Sequence, residues 1–101
     1  MPNSVSVVIT THNRPDYLKE SLAAVLKQTV MPTEVFVIDD GSSVSYEEVL
    51  SLFPKDQFTY IKVPVASGAN SARNLGISKS TSDIIAFLDD DDVWDNDYLE
   101  Q

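Results

Sequence analysis

Two kinds of apolar run alternate along the chain. Ser4 to Thr10 (SVSVVIT) and Glu34 to Asp40 (EVFVIDD) are β-branched and nearly continuous, which predicts strands buried on both faces of a parallel sheet. Phe58 to Val63 (FTYIKV) alternates enough to predict an edge or half-buried strand, and Asp83 to Leu88 (DIIAFL) predicts a fourth. Between the first two, DYLKESLAAVLKQ places Leu18, Leu22, Val25 and Leu26 on one face at helical spacing. Pro15 suits a first helical turn, Asp16 suits the positive helix end, and Met31-Pro32-Thr33 stops the helix. Tyr46 to Phe53 predicts a short helix, with Ser45 as N-cap and Glu48 three residues later in a capping-box pattern. Ala69 to Ser78 predicts a third helix, and Asp95 to Gln101 opens another.

Strands that alternate with helices imply a parallel sheet with right-handed crossovers. The polar residues without a packing role gather after strands, at Thr10 to Asn13, Asp39 to Ser43 and Asp89 to Asp92. In open α/β sheets the ligand crevice lies outside the carboxyl ends of the strands, so three polar strand exits point to one site.

Composition narrows the chemistry. The 101 residues suffice for one small domain, and 43% hydrophobic content supports a core. Seven basic residues against 16 acidic give a net charge of −9, which argues against nucleic acid or an anionic membrane as partner and suits divalent cations or metal-neutralised ligands. With no cysteine, neither disulfides nor thiol chemistry enters. The N-terminus lacks the basic and apolar regions of a signal peptide, and no run approaches a membrane span. The expectation is a soluble, cytoplasmic segment, with work at the inner face of a membrane left open.

Asp89 to Asp92 put four like charges behind the apolar run IIAFL, an arrangement that is costly in a crevice unless a cation compensates it. Mg²⁺ or Mn²⁺ takes oxygen ligands and commonly bridges one or two carboxylates to substrate phosphates. Alternate residues of an extended stretch point to opposite sides, so one ion touches one or two of the four. A solvated acidic loop capping the next helix is the competing account, and Asp95 and Asp97 fit it. An EF-hand starting at Asp89 fails, because Val93 stands where an oxygen ligand is needed and Trp94 where glycine is needed. Asp39 and Asp40 before Gly41 form the second acidic exit, suited to a ribose or base edge, or simply to a polar turn. The chain has neither G-x-G-x-x-G nor a P-loop motif. Ser67 to Asn74 opens a helix with small residues, and its Arg73 suits a phosphate or a structural pairing with an Asp. His12, the sole histidine, reads as loop packing rather than catalysis.

Taken together, VSVVITTHNRPDYLKESLAAVLKQT, EVFVIDDGSS and GANSARNLGISKSTSDIIAFLDDDDVW resemble the N-terminal half of a family 2 glycosyltransferase, a large inverting family with a GT-A fold. The resemblance spans nearly the whole chain and implies a Rossmann-like three-layer α/β/α domain with a mainly parallel sheet, residues 1–101 being its nucleotide-binding half. It implies transfer of a sugar from a nucleotide-diphosphate donor with Mn²⁺ or Mg²⁺, to a saccharide or lipid-linked acceptor. Thr10 matches the first-strand threonine near the nucleotide and Asp39 the acid that recognises the base. The family's D-x-D corresponds to Asp89-Asp90-Asp91, with Asp91 on the metal and Asp89 and Asp90 near the ribose or diphosphate. Arg73 falls in the family's ARN triplet, contacting the donor or buttressing the acidic loop, and Asp92 is the usual next acid. Where the family often has proline, Asn96 stands here, which loosens the helix-start prediction only.

An acceptor hydroxyl that inverts the anomeric centre needs a general base. In this family that base lies beyond the D-x-D, in the second half of the domain, so no catalytic residue is expected before Gln101. A segment of this extent is expected to have weak or no transferase activity alone, and to self-associate through an open edge of its fourth strand. A nucleotidyltransferase-like enzyme is one rival, weakened because TTHNRPD lacks the Gly-rich loop of such enzymes. A non-catalytic nucleotide- or metal-binding module is the other.

Overall fold

The computed structural model describes residues 4–28, 32–64 and 68–89; the helix expected over 95–101 and the acids Asp90 and Asp91 lie outside them. Strand β1 (Val5–Thr11) is followed by helix α1 (Pro15–Leu26), β2 (Glu34–Asp40), the short α2 (Glu47–Leu50), β3 (Thr59–Val63), α3 (Ala69–Lys79) and β4 (Ile84–Asp89). The strands form one sheet in the order β3-β2-β1-β4, and every pair is parallel. The two nearly continuous apolar runs are the central strands, as their lack of alternation predicts. The alternating third run is an edge strand.

Side-chain parity divides the sheet into two packed faces. Val7, Ile9, Val35, Val37 and Leu88 meet Leu18, Leu22 and Val25 of α1, and Tyr46 beside α2 closes that layer. Val8, Phe36 and Ile38 meet Ala72 of α3 on the other face. Gly76 lets α3 sit this close, since a Cβ there would lie 2.5 Å from Val8 Cγ1. The architecture is the expected α/β/α sandwich. At the outer edge of β4, Ile84 and Phe87 are exposed.

Helix α1 begins as predicted, with Pro15 in its first turn, and ends at Leu26. Gln28 closes it by donating from Nε2 to the Ala24 carbonyl (3.2 Å). The second helix is shorter than the predicted 46–53, because only its first turn closes with i→i+4 bonds. Leu52 N and Phe53 N donate instead to the carbonyls of Val49 and Leu50, and Pro54 bars continuation. A single 3-10 turn, Lys55–Gln57, then leads into β3. Tyr46, not Ser45, is the N-cap of α2; Ser45 Oγ accepts from Glu47 N (3.2 Å) one step outside the helix, so the expected capping box does not form.

Candidate functional site at the carboxyl rim of the sheet

The register sets which strand exits meet. Thr11 lies opposite Asp39 across β1 and β2, and Thr10 lies opposite Asp89 across β1 and β4. Partners in a parallel register share a face. Thr11 and Asp39 therefore belong to the α1/α2 side, and Thr10 and Asp40 to the α3 side. Thr10 and Asp39 thus share one rim but serve its two faces.

On the α1/α2 side the loops after β1 and β2 are tied together. Asn13 N donates to Ser42 Oγ (2.8 Å), and Ser43 N donates to Asn13 Oδ1 (2.8 Å). Asn13 takes a left-handed backbone (φ 54°), a conformation its short polar side chain tolerates. Ser43 N, joined by Val44 N (3.4 Å), fixes Asn13 Oδ1 as the acceptor, so the amide nitrogen faces His12 Nε2 (3.3 Å). His12 Nε2 is then the acceptor, and Nδ1–H donates to the Asp40 carbonyl (2.7 Å). The sole histidine packs the loop, as expected.

Tyr46 is the centre of this layer. Its hydroxyl accepts from Arg14 N (2.9 Å) and Ser42 Oγ (3.4 Å), which leaves its own hydrogen for Thr11 Oγ1 (2.7 Å). Its ring sits 6.1 Å from that of Tyr60. Tyr60 stands opposite Val37, one same-face step from Asp39, and its phenol reaches the Asp39 carboxylate. Asp39 is fully buried, accepting from Ser42 N through Oδ1 (3.0 Å) and from the Tyr60 hydroxyl through Oδ2. Burial, and then the bond to Asp39, pushes the Tyr60 phenol well above its ordinary range, so it stays a donor at neutral pH.

On the α3 side, Asp40 Oδ2 accepts from Gly68 N (3.0 Å) at the start of α3. Gly68 has φ 97°, a left-handed conformation that favours glycine, and it turns this N–H toward the strand end. A carboxylate at a helix N-terminus is favourable in its own right. Gly68, one of the small residues that open this helix, thus approaches Asp40. Arg73 lies half-buried in the second turn of α3, next to Ala72, which packs on Val8. Thr10 is buried at its strand end. Among the described residues no group of three metal-ligating side chains forms, and the expected metal ligand Asp91 lies outside them. Strand β4 ends at Asp89, opposite Thr10 and at the same rim as Asp39 and Asp40, and the carboxylates that follow it in the sequence are hard oxygen donors of the kind Mg²⁺ or Mn²⁺ takes.

Thr11, Tyr46 and Tyr60 are rim residues the sequence does not single out. Neither tyrosine carries a motif: Tyr60 reaches Asp39 through the β2–β3 register, and Tyr46 reaches Thr11 from the N-cap of α2. Asp40 is visible in the sequence, yet its turn toward α3 follows only from parity with Asp39.

This parallel sheet, with helices on both faces and Asp39 and Asp40 at its carboxyl rim, is a Rossmann-like α/β architecture. The chain belongs to glycosyl transferase family 2, whose pattern matches residues 6–101. An uncharacterized glycosyltransferase of Rickettsia bellii (strain RML369-C) is 42% identical over 96 residues, covering 95% of this chain and 14% of that protein. The UDP-Glc:alpha-D-GlcNAc-diphosphoundecaprenol beta-1,3-glucosyltransferase WfgD of Escherichia coli is 33% identical, covering 95% of this chain and 38% of that protein. The chain thus spans well under half the length of these relatives. Among solved structures, S. aureus TarS 1-349 in complex with UDP-GlcNAc superposes with a TM-score of 0.86 at 25% identity, over 96% of this chain and 29% of that one. The mannosyltransferase PcManGT from Pyrobaculum calidifontis, in complex with GDP-Man and Mn²⁺, gives 0.86 at 23%, a likeness of fold, over 98% of this chain and 31% of that one. These neighbours agree with the GT-A fold that the motifs imply.

Proposed function

We propose that this chain is the donor-binding half of an inverting glycosyltransferase that uses a nucleotide-diphosphate sugar and a divalent cation. The observation that carries the reading is the convergence of Thr10, Asp39, Asp40 and the β4 exit at one rim of a parallel sheet. UDP-GlcNAc bound to TarS favours a nucleotide sugar as ligand. In this reading Asp39 addresses the base, Thr10 lines the nucleotide site, and Asp89 and Asp90 address the ribose or diphosphate. Arg73 contacts the donor or steadies the acidic stretch. Asp91 would hold Mn²⁺ or Mg²⁺, which when bound offsets charge on the diphosphate.

The acceptor hydroxyl attacks the anomeric carbon on the face opposite the diphosphate. A carbon–oxygen bond forms as the sugar–phosphate bond breaks, the nucleoside diphosphate leaves with the bonding pair, and the hydroxyl proton passes to a base. By the family resemblance that base lies C-terminal to Gln101. A lipid-linked saccharide as acceptor is the reading that the name of WfgD favours.

Calorimetric titration of UDP and GDP, with and without Mn²⁺, tests the assignment. The expected result is metal-dependent binding of one nucleotide, with the metal dependence lost in Asp91→Ala. Equal binding by that variant would defeat the metal assignment, and no binding of either nucleotide would defeat the donor-site reading.

A further inference from the structure

Asp39 has no exposed surface, and both of its carboxylate oxygens are occupied from within the protein. Each carboxylate oxygen can accept a second bond, but Asp39 is closed to outside contact, so a ligand N–H reaches it only where a group covering it moves aside and the ligand takes over that group's bond. Its two donors differ in freedom. Ser42 N belongs to a turn pinned from several sides: Gly41 N donates to the Asp39 carbonyl (3.0 Å), Asn13 N to Ser42 Oγ (2.8 Å), and Ser43 N to Asn13 Oδ1 (2.8 Å). Moving that donor would break the whole loop.

Tyr60 is placed differently. It stands on the edge strand β3 and is only half-buried. Its ring forms part of the wall of a cavity of about 440 Å³, shared with Glu47, Leu50, Ser51, Lys55 and Phe58. A ring that leaves Asp39 therefore has adjacent space with an apolar wall to receive it, and no backbone bond need break.

We propose that the Tyr60 hydroxyl is a built-in stand-in for the nucleobase, holding Asp39 Oδ2 until a base N–H takes that oxygen and the ring swings into the cavity between α2 and β3. The inference rests on the donor-site reading of Asp39. It gives Tyr60 a part in specificity. A base with a ring N–H, as in uracil or guanine, replaces the bond that Tyr60 gives up. Cytosine presents a ring acceptor to the same oxygen and leaves Tyr60 in place, as does a diphosphate without a base. The geometry also gives the cavity a role: it is the space into which the ring retreats.

Calorimetry on the intact protein with Mg²⁺ and UDP, CDP or pyrophosphate tests this. Tyr60→Phe keeps the ring and removes the competing donor, so UDP is expected to bind about 10-fold tighter while pyrophosphate is unchanged. Ser51→Trp fills the cavity from its exposed wall, and UDP is expected to bind about 10-fold more weakly, again with pyrophosphate unchanged. In the wild-type protein carrying isotope-labelled tyrosine, the Tyr60 ring resonance is expected to shift with UDP and not with CDP or pyrophosphate. If wild type binds UDP and Asp39→Asn does not, a Tyr60→Phe variant that binds UDP no better, or a Tyr60 resonance indifferent to UDP, overturns the stand-in. If Asp39→Asn binds UDP as well as wild type does, the donor-site reading falls and the stand-in with it.

Discussion

The two ends of the sheet are both polar, yet they use their carboxylates in opposite ways. At the amino end, Glu34 Oε1 alone accepts from Ser6 Oγ (2.7 Å), Thr81 N (2.9 Å) and Ser82 Oγ (3.2 Å). Ser80 Oγ donates to Ser6 Oγ (2.7 Å), and Asp83 N donates to Ser4 Oγ (2.9 Å). This clasp sews the α3–β4 connection to the bottom of β1 and β2, with its acid partly open to water. At the carboxyl end the shared hydrogen-bonding centre is the hydroxyl of Tyr46, and Asp39 and Asp40 are buried. A cluster of hydrogen-bonded polar residues therefore does not by itself mark a site. What distinguishes the carboxyl rim is buried charge, one of whose donors is a side chain with room to leave.

Exchanging the acids of the two rims for alanine should separate them most widely. Asp39→Ala leaves Ser42 N and the Tyr60 hydroxyl facing no acceptor, and is expected to cost about 2–4 kcal/mol of stability together with nucleotide binding. Glu34→Ala releases the Thr81 N–H and the Ser82 hydroxyl, which water can reach, together with the buried Ser6 hydroxyl, and is expected to cost about 1–2 kcal/mol, with nucleotide binding kept. Urea unfolding and UDP titration of both variants provide the check. Equal losses of stability, or loss of binding in Glu34→Ala, would erase the distinction between the rims.

A smaller effect should follow from Tyr46→Phe. The ring stays in the core while three partners, Thr11 Oγ1, Arg14 N and Ser42 Oγ, lose a common oxygen. About 1–3 kcal/mol of destabilisation is expected, because Thr11 and Ser42 are buried where their hydroxyls lose this partner. Since this hydroxyl braces the turn that supplies Ser42 N to Asp39, UDP binding should weaken too. A variant with normal stability would show that the loop ties through Asn13 hold the rim without Tyr46.

The frame of this domain is legible from the sequence because its signals are local. Unalternating β-branched runs give β1 and β2, and Pro15 gives the start of α1. Pro54 is just as visible, and read with Ser51 and Phe53 it accounts for the early stop of α2. The site is only half legible. Asp39 and the acids after Leu88 stand out by type and position, and the family motifs give them roles. The contacts of Asp39 do not stand out, since Tyr60 lies 21 residues on and meets it only because β3 pairs with β2 in one particular register. The division of neighbouring acids is likewise a matter of parity: Asp39 turns to the tyrosines, while Asp40 turns to Gly68 and the first turn of α3. Sequence motifs mark the rim, and strand pairing determines which face of it each acid serves.

The finest distinction between the rims is in pH. The Thr81 backbone N–H, and after it the Ser6 hydroxyl, hold the Glu34 carboxyl below its ordinary value of 4.5. A carboxyl with a depressed folded value contributes stability that is present above the unfolded value and is lost as the pH falls through the folded one. Glu34→Gln keeps an acceptor oxygen for the same donors and removes the charge, so it isolates that contribution. Wild type is expected to be slightly the more stable near neutral pH, by well under about 1 kcal/mol because the group is partly solvated. The gap should close as the pH falls below about 4.5, with nucleotide binding at neutral pH the same in both proteins. Urea midpoints of the pair along that range measure it. A gap that did not change with pH would mean that the clasp depends on the shape of the acceptor and not on its charge, which would make it the neutral counterpart of the Tyr46 centre at the opposite rim.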